Sequence, residues 1–194
     1  MRSAEFDRDQ VLRSAMIEFI AKGYTKTSMQ DLKRATGLHP GSIYCAFENK
    51  RGLLIAALNH YADSKATEFE QIFSDNGHIL AGFQHYFEEI GYNYDFCEAK
   101  GCLLQKALIE LEDQDDEVEL LIRTMLDKWK QRIQVKLEQA QRNQEIPADA
   151  NCEFLSDYVM FAIYGLRSFI QTHPQPDRVE KLIHSLMNTL KQGH

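Results

Sequence analysis

"TSMQDLKRATGLHPGSIYCAFENK", residues 27–50, sets a glycine, a histidine, a proline, a second glycine and a serine between two segments with helical apolar spacing. Thr27 and Ser28 can each cap a helix, because Gln30 follows the first and Asp31 the second at the three-residue capping-box distance. Met29, Leu32 and Ala35 then share one face. Gly37 can take the left-handed conformation that ends a helix, and Leu38 supplies an apolar contact under the turn. Pro40 fits the first position of a new helix, where its missing N–H is harmless, with Ile43 and Phe47 facing inward. A helix, a three-residue turn containing glycine and a short second helix form a helix-turn-helix, whose second helix can enter a DNA major groove. Gly41 and Ser42 at the start of that helix let the backbone come close to DNA. An αα-hairpin in a bundle core satisfies the same periodicity.

Upstream, Leu12, Ala15, Met16, Phe19 and Ile20 mark a helix from about Asp7 to Lys22, stopped by Gly23. Downstream, Asn49 caps a long helix from about Lys50 to Phe73, with Lys50 and Arg51 in its first turn. Cations there oppose the positive pole of the helix, at a cost of roughly 0.3–1 kcal/mol each when exposed. A phosphate reverses that sign, since a helix N-terminus and a lysine together attract an anion. Two solvated charges on an exposed turn are the plainer reading, and it suits Arg51 better than Lys50. Net charge points the same way as the motif. The chain carries −7 overall, yet residues 1–52 hold nine Lys/Arg against six Asp/Glu and the remainder 13 against 23. A basic N-terminal segment on an acidic chain suggests a nucleic-acid-binding part.

From Phe6 to about Leu58 the chain resembles the TetR-type bacterial transcriptional regulators. The stretch "GYTKTSMQDLKRATGLHPGSIYCAFENKRGLL" carries the family's Gly-[Tyr/Phe] after the first helix, its capped Thr/Ser, its Gly-Leu/Val turn and its Tyr-x-x-Phe-x-x-Lys run. The resemblance implies that Thr27, Tyr44 and Lys50 contact phosphates, and that His39, Pro40, Ser42 and Cys45 meet base edges or the adjacent backbone; Ser28 and Gly41 complete the DNA-facing set. Two positions depart from the pattern. His39 replaces the usual serine or threonine cap, weakening the cap while offering a ring donor to a base, and Cys45-Ala46 stands where bulkier polar residues are common.

Residues beyond 74 remain helical, with candidate helices near 76–93, 101–112, 117–143, 151–172 and 177–191, and connections marked by Pro147 and by Pro174 with Pro176. The expected fold is therefore all-α with about nine helices: a three-helix DNA-binding domain over 1–50, joined by a long helix to a helical effector-binding and dimerisation domain over 51–194. The acidic run Glu110 to Glu119 is read as a solvated connection. The helix of Phe154, Tyr158, Phe161 and Tyr164 is apolar nearly all round, and Val179, Leu182, Ile183 and Leu186 give the last helix a wide apolar stripe. The resemblance implies a homodimer through these two helices, about 151–191, and a small-molecule effector pocket in the middle helices. Phe83, Tyr86, Phe87, Trp129, Phe161 and Cys102 are the candidate pocket residues, and an apolar or aromatic effector would suit them; aromatic residues at this spacing are also ordinary core.

"FCEAKGCLLQKALIEL" (96–111) places Cys102 where a helix begins, with Lys100 and Lys106 nearby, surroundings that favour a thiolate. The stretch resembles the Gly-Cys-Leu-Leu segment of a family branch that includes electrophile- and chlorine-sensing repressors, with Cys97 as a possible resolving thiol; a buried cysteine serving as a small hydrophobe is the simpler alternative. The four cysteines form no CxxC pair, so neither a metal site nor a disulfide framework is expected. The longest apolar run, Tyr158 to Leu166, is far shorter than the roughly 20 residues of a membrane span. No apolar segment follows Arg2, so no secretory signal is expected and the location is read as cytoplasmic. Neither Glu-x-x-His, HExxH, GxSxG nor a phosphate loop is present, so no enzyme activity, metal or cofactor is expected. The expected function is a repressor that binds a palindromic double-stranded operator as a dimer and is released by a small molecule. Thiol sensing through Cys102 is one alternative and a helical protein-interaction adaptor without specific DNA binding is another.

Overall fold

The computed structural model describes residues 6–75, 77–92 and 101–193, and among them nine α-helices and no strand occur. The helices are α1 (Arg8–Lys22), α2 (Met29–Thr36), α3 (Pro40–Phe47), α4 (Lys50–Asp75), α5 (Ile79–Tyr92), α6 (Leu103–Leu111), α7 (Asp116–Arg142), α8 (Cys152–Ile170) and α9 (Pro176–Gln192). None is long and apolar enough to cross a membrane.

Side-chain acceptors set most of the helix starts. Asp7 accepts hydrogen bonds from the amides of Asp9 (3.0 Å) and Gln10 (3.1 Å) to open α1. Ser28 caps α2 in a complete capping box with Asp31, and Gly37 ends that helix at φ 71°, a conformation in which glycine has no Cβ to clash. Asn49 accepts the Gly52 amide at 2.9 Å and so caps α4. Replacing caps of this kind with alanine costs typically about 1 kcal/mol.

The chain divides into two compact units, one of residues 1–65 with 98–125 and the other of 66–97 with 126–194. The helix-turn-helix segment lies in the first, together with α6 and the start of α7. There α1 packs on α2 and α6, and α2 on α3. Val11, Leu12, Ala15, Phe19 and Ile20 of α1, Leu32 of α2, and Ile43 and Phe47 of α3 are buried, each large side chain worth roughly 1.5–3 kcal/mol of transfer free energy. In the second unit α5 packs on α8 and α9. Its core is rich in aromatic rings: Phe69 lies 4.6 Å from Phe73, 4.9 Å from Trp129 and 5.3 Å from Tyr86 between centroids, and Phe73 lies 5.0 Å from Phe83.

Among the helix starts that differ from expectation, three have a visible cause. The helix expected from residue 76 begins at Ile79, where the Glu145 carboxylate accepts from the amides of Ile79 (3.0 Å) and Leu80 (2.9 Å). The helix expected from 101 begins at Leu103, because Gly101 has φ 138° and Cys102 is the N-cap. Pro176, read as part of a connection, instead opens α9, where a proline N–H would have had no partner anyway.

Candidate nucleic-acid interface

The second helix of the motif, α3, separates its faces cleanly. Ile43 and Phe47 point into the core, whereas Gly41, Tyr44 and Cys45 are exposed, and Tyr44 retains 51% of its surface. These exposed positions recur at helical spacing and form the outward face of a rigid, short element. Pro40 and Ser42 are half-buried at its start. His39 caps α3: its Nδ1 accepts the Gly41 amide at 3.3 Å. That assignment leaves the neutral ring with its hydrogen on Nε2, on an exposed residue. The histidine therefore supplies a cap and an outward donor together.

Ser28 is exposed, and its hydroxyl serves the capping box, donating to Asp31 Oδ2 at 2.6 Å and accepting from the Asp31 amide at 3.1 Å. Asp31 is in turn gripped by Lys22 (2.6 Å); that hydrogen bond, followed by those from Ser28, holds its carboxyl well below the usual carboxylate range.

Thr27 is placed differently from its expected role. It is 1% exposed, and its hydroxyl donates to the Gly23 carbonyl at 2.6 Å, while its amide bonds back to Gly23 and Tyr24. Thr27 therefore shapes the α1–α2 connection and does not present its hydroxyl to a phosphate. Lys50 shares that work. Its Nζ donates to the carbonyls of Tyr24 (2.8 Å) and Thr27 (2.9 Å) and stands 4.3 Å from the Tyr24 ring centre, so two of its three donors are committed to the backbone. Burial pulls its pKa down, and the charge of Glu110 opposes that shift.

Arg51 is not a solvated charge. Its guanidinium binds Asp115 through Nε (2.6 Å) and Nη2 (2.9 Å) and reaches Glu117 at 2.7 Å. The acidic run is likewise more than a connection, since Glu110 accepts the Thr25 amide at 3.0 Å. Sequence reading missed both contacts because they span 64 to 85 positions. The cations at the wrong end of α4 and the dense acids at 110–119 were the two halves of one signal.

Four of the six candidate effector residues share one core. Phe83, Tyr86, Phe87 and Trp129 belong to the second unit's core, with Phe83 and Phe87 fully buried. Phe161 is 72% exposed, on the α8 face that also carries exposed Phe154, so it lines no interior pocket. Cys102 lies in the first unit, and Cys97 falls outside the described residues. A surface groove of about 460 Å³ between α5 and α9 is lined by residues including Glu88, Tyr92, Glu180 and Ile183 and takes in none of the six candidates. No cluster of three potential metal ligands occurs among the described residues.

Comparison with known proteins agrees with the motif. Residues 11–57 match the family model described as bacterial regulatory proteins, tetR family, and residues 84–186 match the tetracyclin repressor-like C-terminal domain. The HTH-type transcriptional repressor ComR of Escherichia coli strain K12 is 29% identical over 167 residues, covering 85% of this chain and 80% of that protein. The repressor DhaR of Mycobacterium sp. strain GP1 is 23% identical, covering 87% and 85%. Among solved structures, a cysteine mutant of the regulator CifR complexed with 26-bp operator DNA superposes with a TM-score of 0.85 at 21% identity, covering 97% of this chain and 98% of that one. A regulator from Cytophaga hutchinsonii gives 0.84 at 20% identity, covering 96% of each. With a matching family model on the helix-turn-helix segment and another across more than half of the chain, the protein belongs to the TetR family of non-enzymatic, DNA-binding transcriptional regulators.

Proposed function

We propose that the protein is a repressor that binds a palindromic operator as a homodimer and releases it when a small apolar or aromatic molecule binds the C-terminal part. The observation that carries the reading is the outward face of α3, where Gly41, Tyr44 and Cys45 are exposed beside the His39 ring on a helix fixed by its cap and its buried Ile43 and Phe47. In this reading residues 1–50 carry DNA binding and residues 51–194 effector binding and dimerisation. Tyr44 meets a phosphate, His39 and Cys45 face bases, and Lys50 acts on DNA by holding the α1–α2 connection and offering its third donor. ComR and DhaR are both named repressors, and the CifR structure holds operator DNA, which supports the same role here.

Dimerisation is supported by the apolar surface of the last two helices: Phe154 (56%), Phe161 (72%) and Leu182 (42%) are exposed on α8 and α9. Exposed aromatic side chains seven apart on one helix, as Phe154 and Phe161 are, share a face and favour an interaction surface. A two-fold dimer presents two α3 helices to half-sites one helical turn, roughly 34–36 Å, or a multiple apart. Effector binding would then shift the population toward a state whose reading heads do not fit the operator, and linkage requires operator DNA to weaken effector binding by the same factor. The aromatic core around Phe69, Phe83, Tyr86 and Trp129 supports an apolar effector. Thiol sensing has one supporting feature, the half-buried Cys102 at the N-cap of α6.

The test is retention of duplex DNA by the purified protein as salt rises. A regulator making 6–10 phosphate contacts loses roughly 10³–10⁵ in affinity between 50 and 200 mM salt. An adaptor retains no specific fragment at either concentration.

A further inference from the structure

We infer that Lys106 and Glu110 of α6 are positioning residues for DNA recognition, holding the connection between α1 and α2 by its backbone; the inference rests on the operator-binding reading above. Lys106 Nζ donates to the Ile20 carbonyl at 2.6 Å, with the Ala21 carbonyl at 3.4 Å. Both carbonyls lie in the last turn of α1, where no amide of the helix remains to bond them and the negative end of the helix dipole favours a cation. One turn further along α6, Glu110 Oε2 accepts the Thr25 amide at 3.0 Å. Residues four apart on a helix share a face, so the two charges address the connection as a pair.

Gly23 stands at the point of contact. It is buried with φ 84°, and a Cβ there would overlap the Glu110 carboxylate. Glycine therefore lets the carboxylate lie against the main chain, where any side chain would push it off. Beyond α6 the same chain holds the start of α4 as well, through the paired hydrogen bonds from Arg51 to Asp115.

The held segment has consequences for the reading head. Its carbonyls at Tyr24 and Thr27 are the ones that bind Lys50, and Ser28, the next residue, caps α2. A shift of residues 23–27 moves the start of α2, and α3 with it, because α2 packs on α3 across the tight turn at Gly37. Because Lys106 and Glu110 grip backbone atoms, the path of the connection is fixed whatever side chains stand at 20 and 25. The charge pattern is directional too: a cation on carbonyls and a carboxylate on an amide cannot exchange places, so α6 has one register on α1.

The experiment uses full-length protein and a duplex selected by the wild type from a random-sequence library. E110A is expected to weaken binding to that duplex at least tenfold and to speed hydrogen exchange of the 23–27 peptide, with the thermal midpoint close to wild type. E110Q, which keeps an oxygen acceptor for the Thr25 amide, recovers most of the affinity, and K106M behaves like E110A. Faster exchange in E110A with unchanged affinity would overturn the inference, as would exchange unchanged at 23–27. Loss of affinity in step with loss of thermal stability, without rescue by E110Q, would reduce both residues to ordinary fold stabilisation and also overturn it. Failure of the wild type to select any duplex would overturn the operator-binding reading itself, and the exchange result alone would still decide whether α6 holds the connection.

Discussion

His39 joins two duties in one ring, and substitutions separate them. His39→Asn keeps a side-chain oxygen to accept the Gly41 amide and removes the outward Nε2–H, whereas His39→Ala removes both. The expected outcome for Asn is wild-type thermal stability with a changed base preference in DNA selection; for Ala it is the same change with about 1 kcal/mol less stability. An unchanged preference in both would leave His39 as a cap alone. Glu145 gives a pH prediction. Burial pushes its carboxyl up, but the amides of Leu80 and Ile79, the Asn143 side chain and His78 outweigh it, and the net shift is downward. A carboxylate lowered in the folded state stabilises above its unfolded value and loses that contribution as pH falls through the folded one. The thermal midpoint of Glu145→Gln should therefore lie furthest below wild type near neutral pH, with the gap closing below about pH 4. A gap that widens in acid would contradict the assignment.

The junction between α3 and α4 is strained at Glu48, one of the non-glycine residues with positive φ. Glu48 has φ 66° and ψ −47°, closing a three-residue turn in which the Asn49 amide donates to the Phe47 carbonyl at 2.7 Å. Glu48→Gly relieves the backbone and removes a negative charge at the end of α3. Denaturant unfolding should show a gain of about 1 kcal/mol, and DNA retention should persist to higher salt. The elements themselves were legible in sequence where local chemistry decides them. Gly23, Ser28, Gly37, Pro40 and Asn49 act on neighbours within four residues, and each stands where its type predicts. What sequence could not supply were contacts between distant positions. Glu145 opens α5 from 65 residues away, Glu110 reaches Thr25, and Thr27, a polar residue at a helix start, is buried by the connection it forms. The aromatic residues of α5, candidates for the effector pocket, pack in the second unit's core, and periodicity has no means to divide core from pocket lining.

For the molecule as a whole, binding to a palindrome and association of two copies are one proposal with two handles. Phe161→Glu puts a charge on the exposed apolar face of α8, in the second unit, whereas α1, α2 and α3 belong to the first. Light scattering is expected to report a dimer for the wild type and a monomer for the variant, and operator affinity should fall by orders of magnitude because one half-site no longer assists the other. A variant that stays dimeric would move the interface elsewhere. The most direct test is selection from a random duplex library by the full-length wild type, with the stoichiometry and salt dependence of the winning sequence measured afterwards. The expected result is an inverted repeat bound by two copies, with half-sites one or more helical turns apart and affinity falling roughly 10³-fold or more from 50 to 200 mM salt. A pool with no enriched sequence, or an enriched single site bound by one copy, would contradict dimeric operator recognition.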